Sequence, residues 1–378
     1  MKPILPGATI GILGGGQLGR MIALSARPLG YRVHVLDPDP ACAARFLVER
    51  CVTAAFDDAV AADELARECD VVTLEIEKVG LPSLAAAARH APVRPSGEVL
   101  SVIQDRGRQK GWLARHGFPV GPWSLVSTAG ELATASAALG PGCFVKSTTG
   151  GYDGRGQARV ASPSGAADAF REAGGGPCVV EAALDLVAEV SVLVARSPGG
   201  ETAVYPPSLN HHEQRILDWS VLPGPVAPEV AREAVALGAG IARALEVEGL
   251  LAVELFLARD GRLLVNELAP RPHNTFHTTE LACATSQFEQ LVRAVCGLPL
   301  GSVEVVRPAA IVNLLGDLWH GERPPAFERA LALPGVRLHL YGKGPARPGR
   351  KMGHLSALGT TPEEAVALVR RARALLSA

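Results

Sequence analysis

Glu254 and Glu267 sit in two apolar stretches joined by the tight-turn dipeptide Asp260-Gly261. Antiparallel pairing of those stretches sets the two carboxylates side by side, which costs energy unless a cation offsets them. Mg²⁺ is the natural partner, because it takes one or two carboxylates together with substrate phosphates. Neighbours in a strand point to opposite faces, so Asn266 can add an oxygen only if a bulge turns it. Upstream, Lys146 ends a strand-like run and leads into Gly150-Gly-Tyr-Asp-Gly-Arg-Gly156. Four glycines in seven residues permit close backbone approach to phosphate oxygens, with Lys146 and Arg155 as a cationic rim. The segment lacks G-K-[ST], so it is not a Walker A loop. A flexible hairpin turn would not require that rim.

A second glycine motif opens the chain. Gly14-Gly-Gly16-Gln-Leu-Gly19 matches G-x-G-x-x-G, and Asp37 follows eighteen residues after Gly19. That is the dinucleotide-binding layout, with the acid placed for a ribose hydroxyl. Its physical content is narrower: backbone N–H groups at a helix N-terminus can face an anion. A pyrophosphate, a single phosphate and a ligand-free turn all remain open on this motif.

Elements must hold these groups. Residues 8–13, 32–36 and 70–74 read as strands, with helices over 17–27 and 59–69. Strands alternating with helices predict a parallel α/β sheet. A Pro-punctuated segment at 92–96 reads as the first boundary. From Asp105 the texture becomes α+β. Helices are predicted over 109–116, 230–245 and 288–296. Strands are predicted over 144–146, 179–181 and 187–195, with a hairpin over 250–258 and 263–268. A smaller piece follows Pro299, with strands near 310–314 and 336–341 and a closing helix from Pro362. There is no internal repeat. The expected division is 1–104, 105–298 and 299–378.

Composition limits the function classes. The 378 residues carry a net charge of −1, which argues against a general nucleic-acid binder. Hydrophobic residues make up 48%, enough for sizeable cores. No apolar run has membrane-spanning length, and the N-terminus lacks a signal-peptide layout. The seven cysteines form no C-x-x-C pair, so buried thiols are expected rather than a disulfide framework or zinc site. A cytoplasmic location follows as the expectation. Of 37 Lys and Arg, only Lys2, Lys78, Lys110, Lys146, Lys343 and Lys351 are lysine. Three of these six, Lys110, Lys146 and Lys351, fall at the phosphate contacts described next.

The order Lys110, Lys146, glycine loop, Glu181, Glu189, Glu254 and Asn266-Glu267 resembles the ATP-grasp ligases. Within them the chain resembles the purine-biosynthesis branch that carboxylates 5-aminoimidazole ribonucleotide (AIR). The resemblance rests on the two glycine motifs, Gln104-Asp-Arg106, Asn266-Glu-Leu-Ala-Pro-Arg271 with His273-Asn274, and Arg347-Pro-Gly-Arg-Lys-Met-Gly-His354. It implies a Rossmann-like (pre-ATP-grasp) N-terminal domain, a central ATP-grasp domain and a small C-terminal β-rich domain.

By that resemblance, ATP lies between two antiparallel sheets. Arg106, Lys110 and Lys146 contact its phosphates, and Gly151, Tyr152, Asp153, Gly154, Arg155, Gly156 and Gln157 close over them as a lid. Glu181, Ala182, Ala183 and Leu184 read the adenine edge. Glu189 binds the ribose hydroxyls, and His212, Asn266 and Glu267 complete the nucleotide site. Glu254 and Glu267 hold Mg²⁺, with Mn²⁺ as a possible substitute. Gln17, Leu18, Glu75, Asn274, Lys343, Arg350 and Lys351 bind AIR, with Arg350 and Lys351 on its phosphate. Arg155, Arg271, His273 and Lys351 are the catalytic candidates. Bicarbonate is the other small-molecule substrate, and the family expectation is a homodimer. No nucleic-acid or membrane partner is implied. Glu77 is open to reading as a plain surface carboxylate.

Two departures stand out. Arg215 occupies a position where this family usually has glycine, and Thr275-Phe276 replaces Ser-Gly. Phe cannot adopt glycine's conformations cheaply, so a differently shaped loop is expected there. Two rival functions fit parts of the sequence. A formate-dependent glycinamide ribonucleotide transformylase shares the ATP-grasp equipment. An NAD-dependent oxidoreductase would use the first glycine motif but leaves the second loop and both glutamates without a role.

Overall fold

Thr9–Leu13 is a strand buried along its whole length, as expected for a strand covered on both faces. It pairs in parallel with Arg32–Asp37 on one side and Val71–Leu74 on the other, and Arg50–Thr53 completes a four-stranded sheet. Helix Gln17–Ala26 starts directly from the glycine turn. The helix predicted over 59–69 ends at Ala66. In this computed structural model the described residues are 2–150, 156–213, 215–320 and 323–377.

The proline-punctuated segment is packed rather than a free linker. Val93 bridges in parallel to Val72. The buried Arg94 side chain pairs with Glu248 at 2.6 Å and donates to the Val295 carbonyl. One apolar cluster runs from Ile22 and Val33 to Phe288, Leu291 and Val295. The N-terminal unit is therefore fixed against the central one by core packing as well as by the Arg94–Glu248 ion pair.

The central region contains two antiparallel sheets. The small one orders Trp123–Val126, Cys178–Glu181, Cys143–Ser147 and Gln157–Val160. The large one is nine-stranded and begins with the hairpin Gly249–Ala258 and Leu263–Ala269. It continues through Leu186–Arg196, Ser208–Glu213 and Ile216–Leu222. The C-terminal strands Ala309–Leu315, Lys351–Leu358 and Val336–Leu340 do not form a sheet of their own. Ala309–Leu315 pairs with Ile216–Leu222, so they extend the central sheet. Helix Pro362–Ala374 covers that end through Ala365, Val369 and Ala372.

Candidate active site

Helix Arg106–Arg115 joins the two central sheets, and Gln104-Asp-Arg106 explains how it is set. Gln104 Nε2 donates to the carbonyls of Glu77 and Val79, at 2.5 and 2.6 Å. Asp105 caps the helix by accepting from the Arg108 N–H at 2.8 Å. Buried Gln109 exchanges hydrogen bonds with the main chain of Leu268. The next side chain, Lys110, is thereby aimed between the sheets.

Lys110 and Lys146 grip opposite oxygens of Glu181. Burial pushes the Glu181 carboxyl up, but the two ammonium groups outweigh it and bring it down to about 2. Burial pulls the Lys110 ammonium below its ordinary value despite Glu181. Lys110 Nζ also lies 3.5 Å from the Asn266 carbonyl on the large sheet. Arg106 reaches both sheets, donating to the Ser147 carbonyl at 3.2 Å and approaching Glu267 at 3.7 Å. Three cationic side chains, Arg106, Lys110 and Lys146, thus converge on one cleft.

Facing them, Glu254 is the direct cross-strand partner of Glu267. The register then skips so that Leu255 meets Val265, leaving Asn266 as the extra residue of a bulge. The bulge turns Asn266 to the glutamates, and its Nδ2 donates to Glu254 at 3.3 Å. Burial, then Glu267, pushes the Glu254 carboxyl up to about 7. Two carboxylates and an amide oxygen form a hard-oxygen donor set with unbalanced charge, which fits Mg²⁺. Beside them, His212 Nδ1 lies 2.9 Å from Glu189.

His273 Nε2 is 3.3 Å from Glu254, and its Nδ1 is 2.9 Å from Thr275 Oγ1. Burial, then Arg271, holds this imidazole well below its ordinary value and so uncharged. Gln287 brackets His273, accepting from its N–H at 2.8 Å and donating to its carbonyl at 3.0 Å. Sequence reasoning missed Gln287. Its position at the start of helix Gln287–Cys296 was the available signal, and its burial shows only in the fold. Glu77 is not a plain surface carboxylate, because Oε1 is 2.7 Å from Arg271 Nε and the side chain is 25% exposed. Neither side-chain polar atom of Asn274 finds a partner among the described residues.

In the first glycine motif, the N–H groups expected to face an anion already hold the chain's own carboxylates. Gly15 N–H donates to Asp37 at 2.7 Å. Gly16 and Gly19 donate to the two oxygens of Glu75 at 2.9 and 3.0 Å. A Cβ on Gly14 would meet Glu75 Cγ at 2.4 Å, which requires glycine there. The pyrophosphate reading therefore fails. Leu18 is buried in the core, while Gln17 stays partly exposed.

The remaining candidates are more dispersed. Ala182 N–H donates to the Pro122 carbonyl at 3.0 Å, and Leu184 packs beside Gly121. Lys343 Nζ lies 5.8 Å from the Tyr341 ring centre, and Arg350 donates to the Pro345 carbonyl at 3.1 Å. Lys351 lies close enough to His212 and His273 to oppose protonation of both. Gly151, Tyr152, Asp153, Gly154 and Arg155 lie outside the described residues. Gly156 and Gln157 lead into strand Gln157–Val160. Arg215 keeps the left-handed backbone of the glycine it replaces, with φ +68°, whereas Phe276 is buried in the short helical turn Asn274–Phe276.

Comparison with known proteins agrees with this geometry along the chain. Residues 7–104 match the ribonucleotide synthetase preATP-grasp domain, 112–288 the ATP-grasp domain, and 309–367 the phosphoribosylaminoimidazole carboxylase C-terminal domain. The N5-carboxyaminoimidazole ribonucleotide synthase of Bacillus subtilis is 40% identical over 363 residues, covering 96% of this chain and 94% of that one. A crystal structure of an ADP complex of PurK, N5-carboxyaminoimidazole ribonucleotide synthetase, superposes with a TM-score of 0.92 at 40% identity, covering 99% and 98% of the two chains. The Aspergillus clavatus N5-carboxyaminoimidazole synthase, in complex with ADP and AIR, gives 0.90 at 33% identity and 98% coverage of each.

Proposed function

This chain belongs to the N5-carboxyaminoimidazole ribonucleotide synthase family of ATP-grasp ligases, and from that premise we propose how its residues divide the reaction. ATP, bicarbonate and AIR give N5-carboxyaminoimidazole ribonucleotide, ADP and phosphate. Bicarbonate attacks the γ-phosphate and forms carboxyphosphate. The exocyclic amine of AIR then takes the carboxyl group, from carboxyphosphate or from CO₂ released within the site, and phosphate leaves. The observation that carries this reading is the Glu254–Glu267 pair opposite Lys110 and Lys146, an arrangement with no use in a purely structural sheet.

Arg106, Lys110 and Lys146 take the ATP phosphates, preset by contacts that need little reorganisation. Glu181, Ala182, Ala183 and Leu184 meet the adenine, while Glu189 and His212 meet the ribose. Glu254 and Glu267, with Asn266, hold Mg²⁺ or Mn²⁺. When bound, that cation neutralises phosphate charge and aligns the transferred phosphoryl group. Residues 151–157 act as the lid that keeps water from carboxyphosphate, with Arg155 as its cation.

On the AIR side, each Glu75 oxygen keeps a lone pair after its backbone bond and can accept from a ribose hydroxyl. Gln17 and Leu18 adjoin it. Lys343, Arg350 and Lys351 serve the phosphate. The unpartnered amide of Asn274 supplies both a donor and an acceptor. His273 works as a neutral hydrogen-bonding group, and Arg271 stabilises developing negative charge.

The division 1–104, 105–298 and 299–378, homodimerisation and a cytoplasmic location are part of the proposal and rest on the family resemblance. No helix among the described residues is long and apolar enough to cross a membrane. The deciding experiment measures AIR- and bicarbonate-dependent ADP formation from MgATP, with the carboxylated product identified. Turnover that requires formate and glycinamide ribonucleotide instead would overturn the proposal.

A further inference from the structure

His339 and His354 are direct partners on the antiparallel strands Val336–Leu340 and Lys351–Leu358. Opposed residues in such a ladder project to the same face, and here the rings stack with centroids 5.1 Å apart. Glu280 reaches the pair from helix Thr279–Ala282, just beyond His273 and Asn274. Its Oε2 is 3.8 Å from His354 Nε2 and 4.0 Å from His339 Nδ1. Those separations are too long for hydrogen bonds. All three ligand atoms nevertheless lie within 4.8 Å of one another. Tetrahedral zinc bonds of about 2.0–2.1 Å place ligand atoms roughly 3.3 Å apart, so a small contraction closes the set on one cation.

We propose that Glu280, His339 and His354 form a site for a divalent transition metal, zinc by preference, with water as the fourth ligand. Two imidazoles and a carboxylate suit zinc. Magnesium instead takes oxygen ligands, as at Glu254 and Glu267. The two sites differ in chemistry and share no residue.

A separate observation supports the ligand role of His354. Its Nδ1 is 2.9 Å from the hydroxyl of fully buried Tyr341. With Nδ1–H donating to that oxygen, Nε2 keeps its lone pair and faces Glu280. Metal-binding histidines are commonly held this way through the other ring nitrogen. His277 stacks on His354 at 4.9 Å, with its own Nδ1 3.0 Å from Gln287 Nε2, so the ring is held between two neighbours.

Bound zinc would tie the C-terminal strands to the segment carrying His273 and Asn274. It would fix Lys351, three residues before His354, relative to those groups.

The test titrates the chelator-stripped full chain with Co²⁺ and follows its visible d–d absorption, then displaces it with Zn²⁺. One Co²⁺ per chain is expected, unaffected by excess Mg²⁺ and retained in Glu254→Gln. His339→Ala and Glu280→Gln, at partly exposed side chains, should each weaken binding at least about 100-fold, and Tyr341→Phe about 10–100-fold. Zn²⁺ should raise the Tm of the wild type but not of His339→Ala. No stoichiometric Co²⁺ binding by the wild type would overturn the proposal. Equal binding by the wild type, His339→Ala and Glu280→Gln would overturn it as well.

Discussion

Glu254 stands directly opposite Glu267 in the hairpin ladder, and the bulge immediately beyond the pair adds Asn266 to the same side. Without a cation the pair opposes folding, because burial and Glu267 push Glu254 up from 4.5 to about 7. The native state then holds the proton more tightly than the unfolded chain. The contribution of Glu254 is most favourable below about pH 4.5 and is lost as pH rises through about 7. Metal-free wild type, measured against Glu254→Gln, should lose relative stability across that window in thermal melts. Mg²⁺ should restore it in the wild type alone. The variant should also lose roughly 100-fold or more in kcat.

Lys110 and Lys146 share Glu181 but differ in cost. Lys110 is 6% exposed, so Lys110→Ala leaves a buried carboxylate with one partner and should destabilise by about 3–5 kcal/mol. Lys146→Ala leaves the same carboxylate with one partner, but at a position 19% exposed, where water can take the vacated place, so it should destabilise less and still fold while losing ATP turnover. Denaturant melts and ADP release separate the two outcomes. Restored stability is expected in the Lys110→Met, Lys146→Met, Glu181→Leu triple variant, where no charge of the cluster is left without its partner.

The parallel N-terminal sheet, the hairpin and the Glu254–Glu267 pair were legible because each rests on local pattern: short strand-like runs alternating with helices, Asp-Gly and spacing. The need for a bulge at Asn266 was legible too, from strand alternation alone. Contacts between distant segments were not. Glu77 looks exposed in sequence, and only the fold brings Arg271 to it, nearly two hundred residues later. Gln287 reads as a helix-start residue, and its hold on His273 needs the loop to turn back. The merged nine-stranded sheet depends on pairing between 216–222 and 309–315, which no local signal encodes.

Glu75 accounts for the failure of the dinucleotide reading. Glu75→Ala should strand the N–H groups of Gly16 and Gly19 in a buried turn and cost about 1–3 kcal/mol. Glu75→Gln keeps an acceptor but gives up the charge-assisted bonds, and should cost less. NADH should show no saturable fluorescence change with the wild type, whose turn is already filled. AIR-dependent turnover should fall in both variants, through a higher KM for AIR if Glu75 also meets the ribose.

Arg215 keeps a glycine conformation without being glycine. Its φ of +68° is disfavoured for a side-chain-bearing residue, while Nη1 donates to the Gln157 carbonyl at 3.1 Å, just past the glycine loop. Strain and anchoring therefore act in opposite directions at one residue, and two substitutions separate them. Arg215→Gly removes both, while Arg215→Ala removes the anchor and keeps the strain. The glycine variant should be more stable than the alanine variant by roughly 0.5–1 kcal/mol in equilibrium unfolding, the relief being partly offset by a freer unfolded chain. Both should raise the KM for ATP to a similar extent if the bond to Gln157 steadies the base of the lid. A KM that rises only in Arg215→Gly would assign the effect to backbone shape rather than to the lost guanidinium contact.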